Sequence, residues 1–339
     1  MPRLLTKPLQ RRGTVALFGE VLADQFPDRS VLGGAPFNVA RHLQAFGLHP
    51  VLITRTGNDA LREELLASMA RFGMDPLGVQ CDPVHPTGQV VVHMEQGGHR
   101  FEISPDQAYD FIHAGVARMV ALSTQPELIY FGTLAQRNKI SRRALNSLFR
   151  SIGAPRMLDI NLREPWYDAQ TLKRSLLRAD LVKMNHEELA NIALQLKLPG
   201  DSAVEQAAAL IKQFSLGRLL VTCGAKGAWQ LTADGTETQT EGSVPTGSIV
   251  DTVGAGDGFA AVFILGKLRG WPAGLTLSRA NRFAAAVCGI RGAIPDDPSF
   301  YQAFLKEWKL DDDLDKKRNH PTLSDEQFAR PEPVQSHGA

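Results

Sequence analysis

Asp251-Thr252-Val253-Gly254-Ala255-Gly256-Asp257-Gly258-Phe259 leads directly into the apolar stretch Ala260–Leu268. Small residues at 254–256 let the backbone turn tightly and leave its N–H groups unobstructed. The helix predicted to follow aims its positive dipole end at the same spot. A loop of this kind forms an anion hole suited to a phosphoryl group in flight. Asp257 stands at the helix start, where a carboxylate can accept a proton from an attacking hydroxyl. The competing reading is a glycine-rich turn with Asp257 as an ordinary N-cap. For a bare GxGD tetrapeptide the cap is favoured; the acids on both sides of the glycines improve the functional reading, and the sequence leaves the two open.

Outward from this loop, short β-branched runs alternate with helical patterns. Strands are predicted at Val15–Gly19, Val51–Thr54, Leu128–Gly132, Met157–Ile160, Leu181–Met184 and Leu219–Thr222. Leu61, Leu65, Met69 and Phe72 keep helical spacing, as do Ile140, Ala144, Leu148 and Phe149. This alternation predicts an α/β fold, a mostly parallel sheet with helices on both faces. Gln89–Glu95 and Arg100–Ser104 break the rhythm: they alternate apolar and polar residues around Gly97-Gly98, a hairpin signal. The hairpin is expected to leave the main sheet as a flap over the carboxyl ends of the strands, where open α/β sheets place ligands. A second hairpin is expected around Asp234-Gly235. Beyond about Leu310 the chain turns polar and loses apolar periodicity, so 311–339 is expected to be a poorly ordered tail.

With 339 residues, 43% of them apolar, the chain can bury a large core. A formal net charge of +1 argues against a nucleic-acid partner. Cys81, Cys223 and Cys288 form no CxxC pair and no metal-ligand spacing; they read as reduced, mostly buried thiols. Met1 to Arg12 is basic but carries no apolar core of the signal-peptide kind and reads as a flexible arm. No apolar run approaches the roughly 18 residues a membrane helix needs, so no membrane association is expected, and the expected location is cytoplasmic.

Other nucleotide motifs fail. No GxxxxGK[ST] is present: Gly242-Ser-Val-Pro-Thr-Gly247-Ser248 lacks the lysine, and no GxGxxG follows the first strand.

Asp251–Asp257 resembles the C-terminal signature of the PfkB, or ribokinase-like, sugar kinases. Gly33-Gly34-Ala35-Pro36-Phe37-Asn38-Val39-Ala40 resembles their N-terminal signature in its fructokinase form. Gly19-Glu20…Asp24, Asp159-Ile-Asn161-Leu-Arg163, Asn185-His-Glu-Glu188 and Gly292-Ala-Ile-Pro295 match lesser motifs in the family's order. The resemblance covers about residues 14–308 and implies a ribokinase-like three-layer sandwich. It implies one domain over 13–310, with an inserted β lid at about 20–36 and 87–112.

Site roles follow from the same resemblance. Asp257 is implied as the general base, and Gly254, Ala255 and Gly256 as the anion hole. Asp24, Gly34 and Asn38 match sugar-binding positions, and buried polar partners discriminate strongly for hydroxyl-bearing ligands. Asn161 joins them, and Arg163 is expected to meet a phosphate or an acidic part of the substrate; its bland reading is a surface arginine. Asn185 and Glu188 match the motif that handles phosphate and magnesium-bound water, although Asn-x-x-Glu is equally a capping box. Thr222, Gly224 and Gly227 resemble the loop beside the nucleotide, and Asn281 a position near the adenine. Implied cofactors are ATP, magnesium and, at Asp251 with nearby carbonyls, potassium. The expected reaction is transfer of the ATP γ-phosphoryl group to a primary hydroxyl, fructose being the first choice of substrate. The alternatives are 2-keto-3-deoxygluconate and a nucleoside or aminoimidazole riboside. From other classes come a non-catalytic regulator that binds sugar or nucleotide, opposed by the intact Gly-Ala-Gly-Asp, and an NAD-dependent enzyme, opposed by the missing fingerprint. Val90, Val92 and Phe101 are read as an exposed apolar face of the flap, and a homodimer through the lid is expected from it.

Overall fold

A computed structural model describes residues 13–27, 29–95, 98–243 and 248–310, with only the backbone of residues 94, 95 and 98–101. The basic arm at 1–12, the tail at 311–339, Gly97 of the hairpin turn and the Phe101 side chain therefore lie outside the described residues.

In chain order the elements are β1 (Thr14–Phe18), β2 (Leu22–Gln25), β3 (Ser30–Gly33), α1 (Ala35–Ala45), β4 (His49–Gly57), α2 (Ala60–Arg71), β5 (Val79–Asp82), β6 (Gly88–Glu95), β7 (Gly98–Ile103), α3 (Ala114–Thr124) and β8 (Leu128–Phe131). They continue with α4 (Lys139–Ser151), β9 (Arg156–Asp159), α5 (Ala169–Leu176), β10 (Leu181–Asn185), α6 (His186–Leu196), α7 (Ala203–Phe214), β11 (Arg218–Thr222), β12 (Ala228–Thr232), β13 (Glu237–Thr240), α8 (Ala255–Arg269) and α9 (Ala273–Val287). All of these belong to one compact unit ending at Asp296. A second unit begins at Asp297, and its described part is a short 3-10 turn, Pro298–Tyr301, and α10 (Gln302–Glu307).

The large sheet has the strand order β13-β12-β11-β10-β9-β8-β1-β4-β5. From β11 to β5 every pairing is parallel, and β12 and β13 add an antiparallel edge. Strands buried on both faces must be apolar throughout, and β1 and β8 are buried at every position. The chain runs from β1 outward to β4 and β5, then returns to β8 and proceeds the other way. The order therefore reverses beside β1, and ligands of open α/β sheets bind in the crevice at the carboxyl ends of the strands at such a point. The Asp234-Gly235 hairpin is the β12–β13 turn, as expected.

A second sheet, of order β3-β2-β6-β7, contains the expected β6–β7 hairpin and joins it to β2 by a parallel pairing. Its valines correct an expectation. Val90 and Val92 are 4% and 3% exposed, because one face of this sheet packs within the chain itself, with Leu22 and Ile103 in the common core; Val91 is the exposed neighbour.

Helix α8 is apolar all round and accordingly buried, from Gly258 to Gly266. Helix α4 buries Ala144, Leu145, Leu148 and Phe149, whereas Ile140, in its first turn, is 37% exposed. The cysteines also correct an expectation, since none is buried. Cys81 is exposed on the edge strand β5, and Cys223 and Cys288 are half-buried. Among the described residues no helix is long and apolar enough to cross a membrane.

Candidate active site

Two helices begin on glycine without a side-chain cap, and their first turns meet. Gly34 precedes α1 with φ 106°, and Gly254 precedes α8 with φ 79°, both backbone conformations that L side chains rarely adopt. Neighbours exclude a side chain as firmly as the dihedrals do. A Cβ on Gly34 would lie 2.7 Å from the Glu20 carbonyl oxygen, and one on Gly254 would lie 2.4 Å from the Ala293 Cα. In the sequence Gly292-Ala293 has only a place in a motif; the packing of Ala293 against Gly254 explains why the loop is there. His42 of α1 holds the same loop through a contact of 3.1 Å between its Nε2 and the Ala293 carbonyl oxygen.

Asn38, one turn into α1, donates from Nδ2 to Oδ2 of Asp257, in the first turn of α8, at 2.8 Å. The two residues are 219 apart in sequence. Burial pushes the Asp257 carboxyl up to about 6, and the charge of Asp159 adds to this; the Asn38 hydrogen bond and the charges of Lys183 and Arg163 oppose it. At neutral pH the group is mostly ionised and closer to the proton affinity a general base needs. The cap reading of Asp257 fails, since the N-cap is Gly254 and the carboxylate takes its hydrogen bond from Asn38.

Asp24 on β2 and Glu20 after β1 are two further carboxyl groups at this end. Burial raises them to about 6 and about 7, and the charge of Arg163 works against both shifts. Arg163 itself is exposed and makes only a long contact, 3.4 Å, to the Leu162 carbonyl. It therefore acts electrostatically on Asp24, Glu20 and Asp257 together. Asn161, after β9, sits in the left-handed region with φ 41°, at the turn that leads the chain from β9 to Arg163.

Behind the loop lies a buried ion pair absent from the sequence-derived set. Lys183 of β10 donates from Nζ to both carboxylate oxygens of Asp159 of β9, at 3.0 and 2.9 Å, and the Tyr130 hydroxyl donates to Asp159 Oδ2 at 3.0 Å. A Cβ on Gly256 would lie 3.6 Å from Lys183 Nζ, so the ammonium backs the first turn of α8. One signal was legible: a lysine inside the otherwise apolar run Leu181–Met184 must be paired to be buried.

Asn185 and Glu188 form a complete capping box at the start of α6. Asn185 Oδ1 accepts from the Glu188 N–H at 2.7 Å, and Glu188 Oε2 accepts from the Asn185 N–H at 2.8 Å. Glu188 Oε1 also accepts from the Leu162 N–H at 2.8 Å, which ties α6 to the Asn161–Arg163 turn. Each oxygen keeps a lone pair, which suits contact with a metal through its water shell. Among the described residues no cluster of three or more His, Cys, Asp or Glu could hold a metal by itself. Both Asp251 oxygens are engaged by backbone, from Val253 N–H at 3.0 Å and Gly292 N–H at 3.1 Å, so the acid braces the loop on which α8 begins.

The remaining predicted residues gather elsewhere. Thr222 ends β11 beside Asn185, with its hydroxyl 3.5 Å from the Met184 carbonyl. Gly224 and Gly227 bound a tight turn, and a side chain on Gly227 would collide with the Thr240 carbonyl. Asn281 of α9 is buried and donates to the Glu241 carbonyl at 3.0 Å.

Comparison with known proteins gives a consistent grouping. The family model described as pfkB family carbohydrate kinase matches residues 12–299. The chain is 28% identical to a fructokinase of Klebsiella pneumoniae over 309 residues, which covers 82% of this chain and 92% of that one. It is 24% identical to an aminoimidazole riboside kinase of Salmonella typhimurium, covering 83% and 90%. Among solved structures, a double mutant of a Vibrio cholerae fructokinase, determined with fructose, ADP and potassium bound, superposes with a TM-score of 0.70 at 25% identity, over 86% of this chain and 98% of that one.

Proposed function

The chain belongs to the pfkB family of carbohydrate kinases, and from that premise we propose that it transfers the γ-phosphoryl group of ATP to a primary hydroxyl of a sugar, with fructose as the substrate. The observation that carries this reading is the Asn38–Asp257 contact at the open start of α8. It puts an ionised carboxylate, with its proton affinity raised, beside backbone N–H groups that no side chain caps.

Asp257 takes the proton of the attacking hydroxyl, and Asn38 holds the carboxylate toward it. The first-turn N–H groups of α8 stabilise charge on the phosphoryl oxygens, with the Lys183 ammonium behind them. Asp24, Gly34 and Asn161 position sugar hydroxyls, and Arg163 faces the transferred group. Asn185 and Glu188 would hold magnesium through its water shell, and Thr222, Gly224, Gly227 and Asn281 would border the nucleotide. Magnesium, when bound, neutralises charge on the phosphates. The Asp251 loop is the place for a monovalent cation, as potassium accompanies the Vibrio relative. The small sheet covers the site as a lid and excludes water. Self-association would use β3 and β7, the edge strands of this sheet among the described residues, instead of its valine face; a monomer mass by light scattering at micromolar concentration would discard it.

ADP release with ATP and magnesium over fructose, ribose, 2-keto-3-deoxygluconate, adenosine and aminoimidazole riboside tests the reading. Turnover on fructose above all others is expected. Preference for aminoimidazole riboside, the substrate named for the Salmonella relative, would keep the chemistry and replace the sugar. ATP binding without turnover on any acceptor would favour a regulator.

A further inference from the structure

Glu20 belongs to the Gly19-Glu20…Asp24 motif but takes no part in phosphoryl transfer as described above. It is 4% exposed, and its Oε2 is buried without a hydrogen-bond partner. Two other buried side chains that interact with it electrostatically show the same defect. The Tyr109 hydroxyl and the Arg137 Nη1 are buried without a well-formed hydrogen bond, the two side chains being near enough to interact with each other; Tyr109 is fully buried and the Arg137 side chain 7% exposed.

Arg137 is otherwise rigidly held. Its Nε and Nη2 donate to the two oxygens of Asp110 at 2.8 and 2.7 Å, and Nη2 also donates to the Ser104 carbonyl at 2.8 Å. The guanidinium stands 5.0 Å from the Tyr109 ring and 4.3 Å from the Trp166 ring. The Glu20 backbone packs against Gly34 at the start of α1, and Gly88 packs between Val21 and the Tyr109 ring, so the cluster adjoins the α1 start that carries Asn38; Arg137, Arg163 and Asp257 all act on the Glu20 charge. A buried polar atom left unpaired is destabilising. Three in one cluster, offering an acceptor, a donor and a hydroxyl, fit a ligand that brings hydroxyl groups.

The charges narrow the ligand class. Asp110 cancels Arg137, and Asp159 cancels Lys183. Left around the sugar positions proposed above, among the described residues, are three carboxyl groups, Glu20, Asp24 and Asp257, with Arg163 acting on all of them. A substrate carboxylate would meet like charges, whereas neutral hydroxyls can donate to the carboxyl groups and accept from Arg137 and Tyr109.

We propose that Glu20, with Tyr109 and Arg137, forms the specificity-determining wall of the sugar site and selects an uncharged, hydroxyl-rich sugar over a sugar acid. This rests on the sugar-kinase reading. The test is ADP release by the full chain with fructose and with 2-keto-3-deoxygluconate, for wild type, Glu20→Gln and Tyr109→Phe.

Wild type is expected to favour fructose in kcat/KM by about 100-fold or more. Glu20→Gln, which keeps shape and removes charge, is expected to narrow that ratio at least ~10-fold through the sugar KM, with the ATP KM within about 2-fold. Tyr109→Phe deletes only a hydroxyl that lacks a well-formed hydrogen bond. It is expected to raise the fructose KM roughly 5-fold while leaving the melting temperature unchanged or higher, an outcome a purely structural role does not produce. If Glu20→Gln does not fold, Tyr109→Phe decides. An unmoved ratio in Glu20→Gln, an unmoved fructose KM in Tyr109→Phe, or a wild-type preference for the acid would each overturn the proposal and leave the kinase intact. No turnover of any sugar by wild type would remove the kinase reading and this inference with it.

Discussion

Helices α7 and α8 start in opposite ways. At α7, Ser202 and Glu205 close a capping box: Ser202 Oγ accepts from the Glu205 N–H at 3.2 Å, and Glu205 Oε2 accepts from the Ser202 N–H at 3.0 Å and the Asp201 N–H at 2.8 Å. These backbone donors hold the Glu205 carboxyl below its usual range, and everything it touches is local. At α8 no side chain caps the end, and the first-turn acid takes its hydrogen bond from α1, 219 residues away. The α6 box lies between the two. Its geometry repeats that of α7, but Glu188 is half-buried, also engages Leu162, and its carboxyl is raised chiefly by desolvation. A helix start that completes its own hydrogen bonds is a stability device; one that leaves donors open and recruits a distant acid is available for chemistry.

Mutations can break this contrast, beginning where the effect is largest. Asp257→Asn keeps the shape at the α8 start and removes the base; kcat is expected to fall about 10³-fold or more, read by steady-state ADP release. The same carboxyl sets a pH dependence. Its folded value of about 6 lies above its ordinary 3.8, so kcat/KM should fall toward acid with an inflection near 6. Stability runs the other way. The group's favourable contribution is fully present below 3.8 and is lost as pH rises through 6. Asp257→Asn should therefore melt higher than wild type at about pH 8, with the gain disappearing below about pH 4; an unchanged or lower melting temperature at the higher pH would contradict the burial argument.

Gly254→Ser imposes on α8 the kind of cap α7 carries. The left-handed backbone and the Ala293 contact resist it, so stability should drop by more than about 1 kcal/mol in urea unfolding. Loss or displacement of the open donors should lower kcat by about 10²-fold. If activity survives, the open start is not the anion site. Glu188→Gln tests the intermediate case: kcat/KM for ATP should fall roughly 10- to 100-fold with a steeper magnesium requirement, because the box persists but its charge does not. A loss of stability alone, at full activity, would return α6 to the same class as α7. Smallest is Ser202→Ala, expected to cost about 1 kcal/mol of stability and nothing in kcat.

How far the molecule could be read in advance varied with how local the information was. The parallel strands, the β6–β7 and β12–β13 hairpins and the loop at 251–257 were legible because periodicity and turn chemistry act over a few residues. Val90 and Val92 of β6 are buried where their alternation suggests an exposed face. Alternation tells that one face of a strand is apolar, but not whether the chain or a partner covers it, and here Val90, with Leu22 and Ile103 of the same sheet, joins a core to which Ile112 and Leu134 also belong. That Lys183 must be paired is legible from its apolar surroundings, but that its partner is Asp159 is not, because Asp159 comes from a different strand.

By itself the sequence determined the fold class, the order of elements and the residue types that phosphoryl transfer needs, since these follow from spacing along one chain. Only the tertiary structure decided which of the α6 and α7 box carboxylates reaches past its own helix to Leu162, that Asp257 meets Asn38, and that Glu20, Tyr109 and Arg137 keep buried polar atoms without well-formed hydrogen bonds. Proton affinity and hydrogen-bond satisfaction depend on which groups the fold brings within a few ångströms and on how much water it removes, and neither is a property of neighbours in sequence.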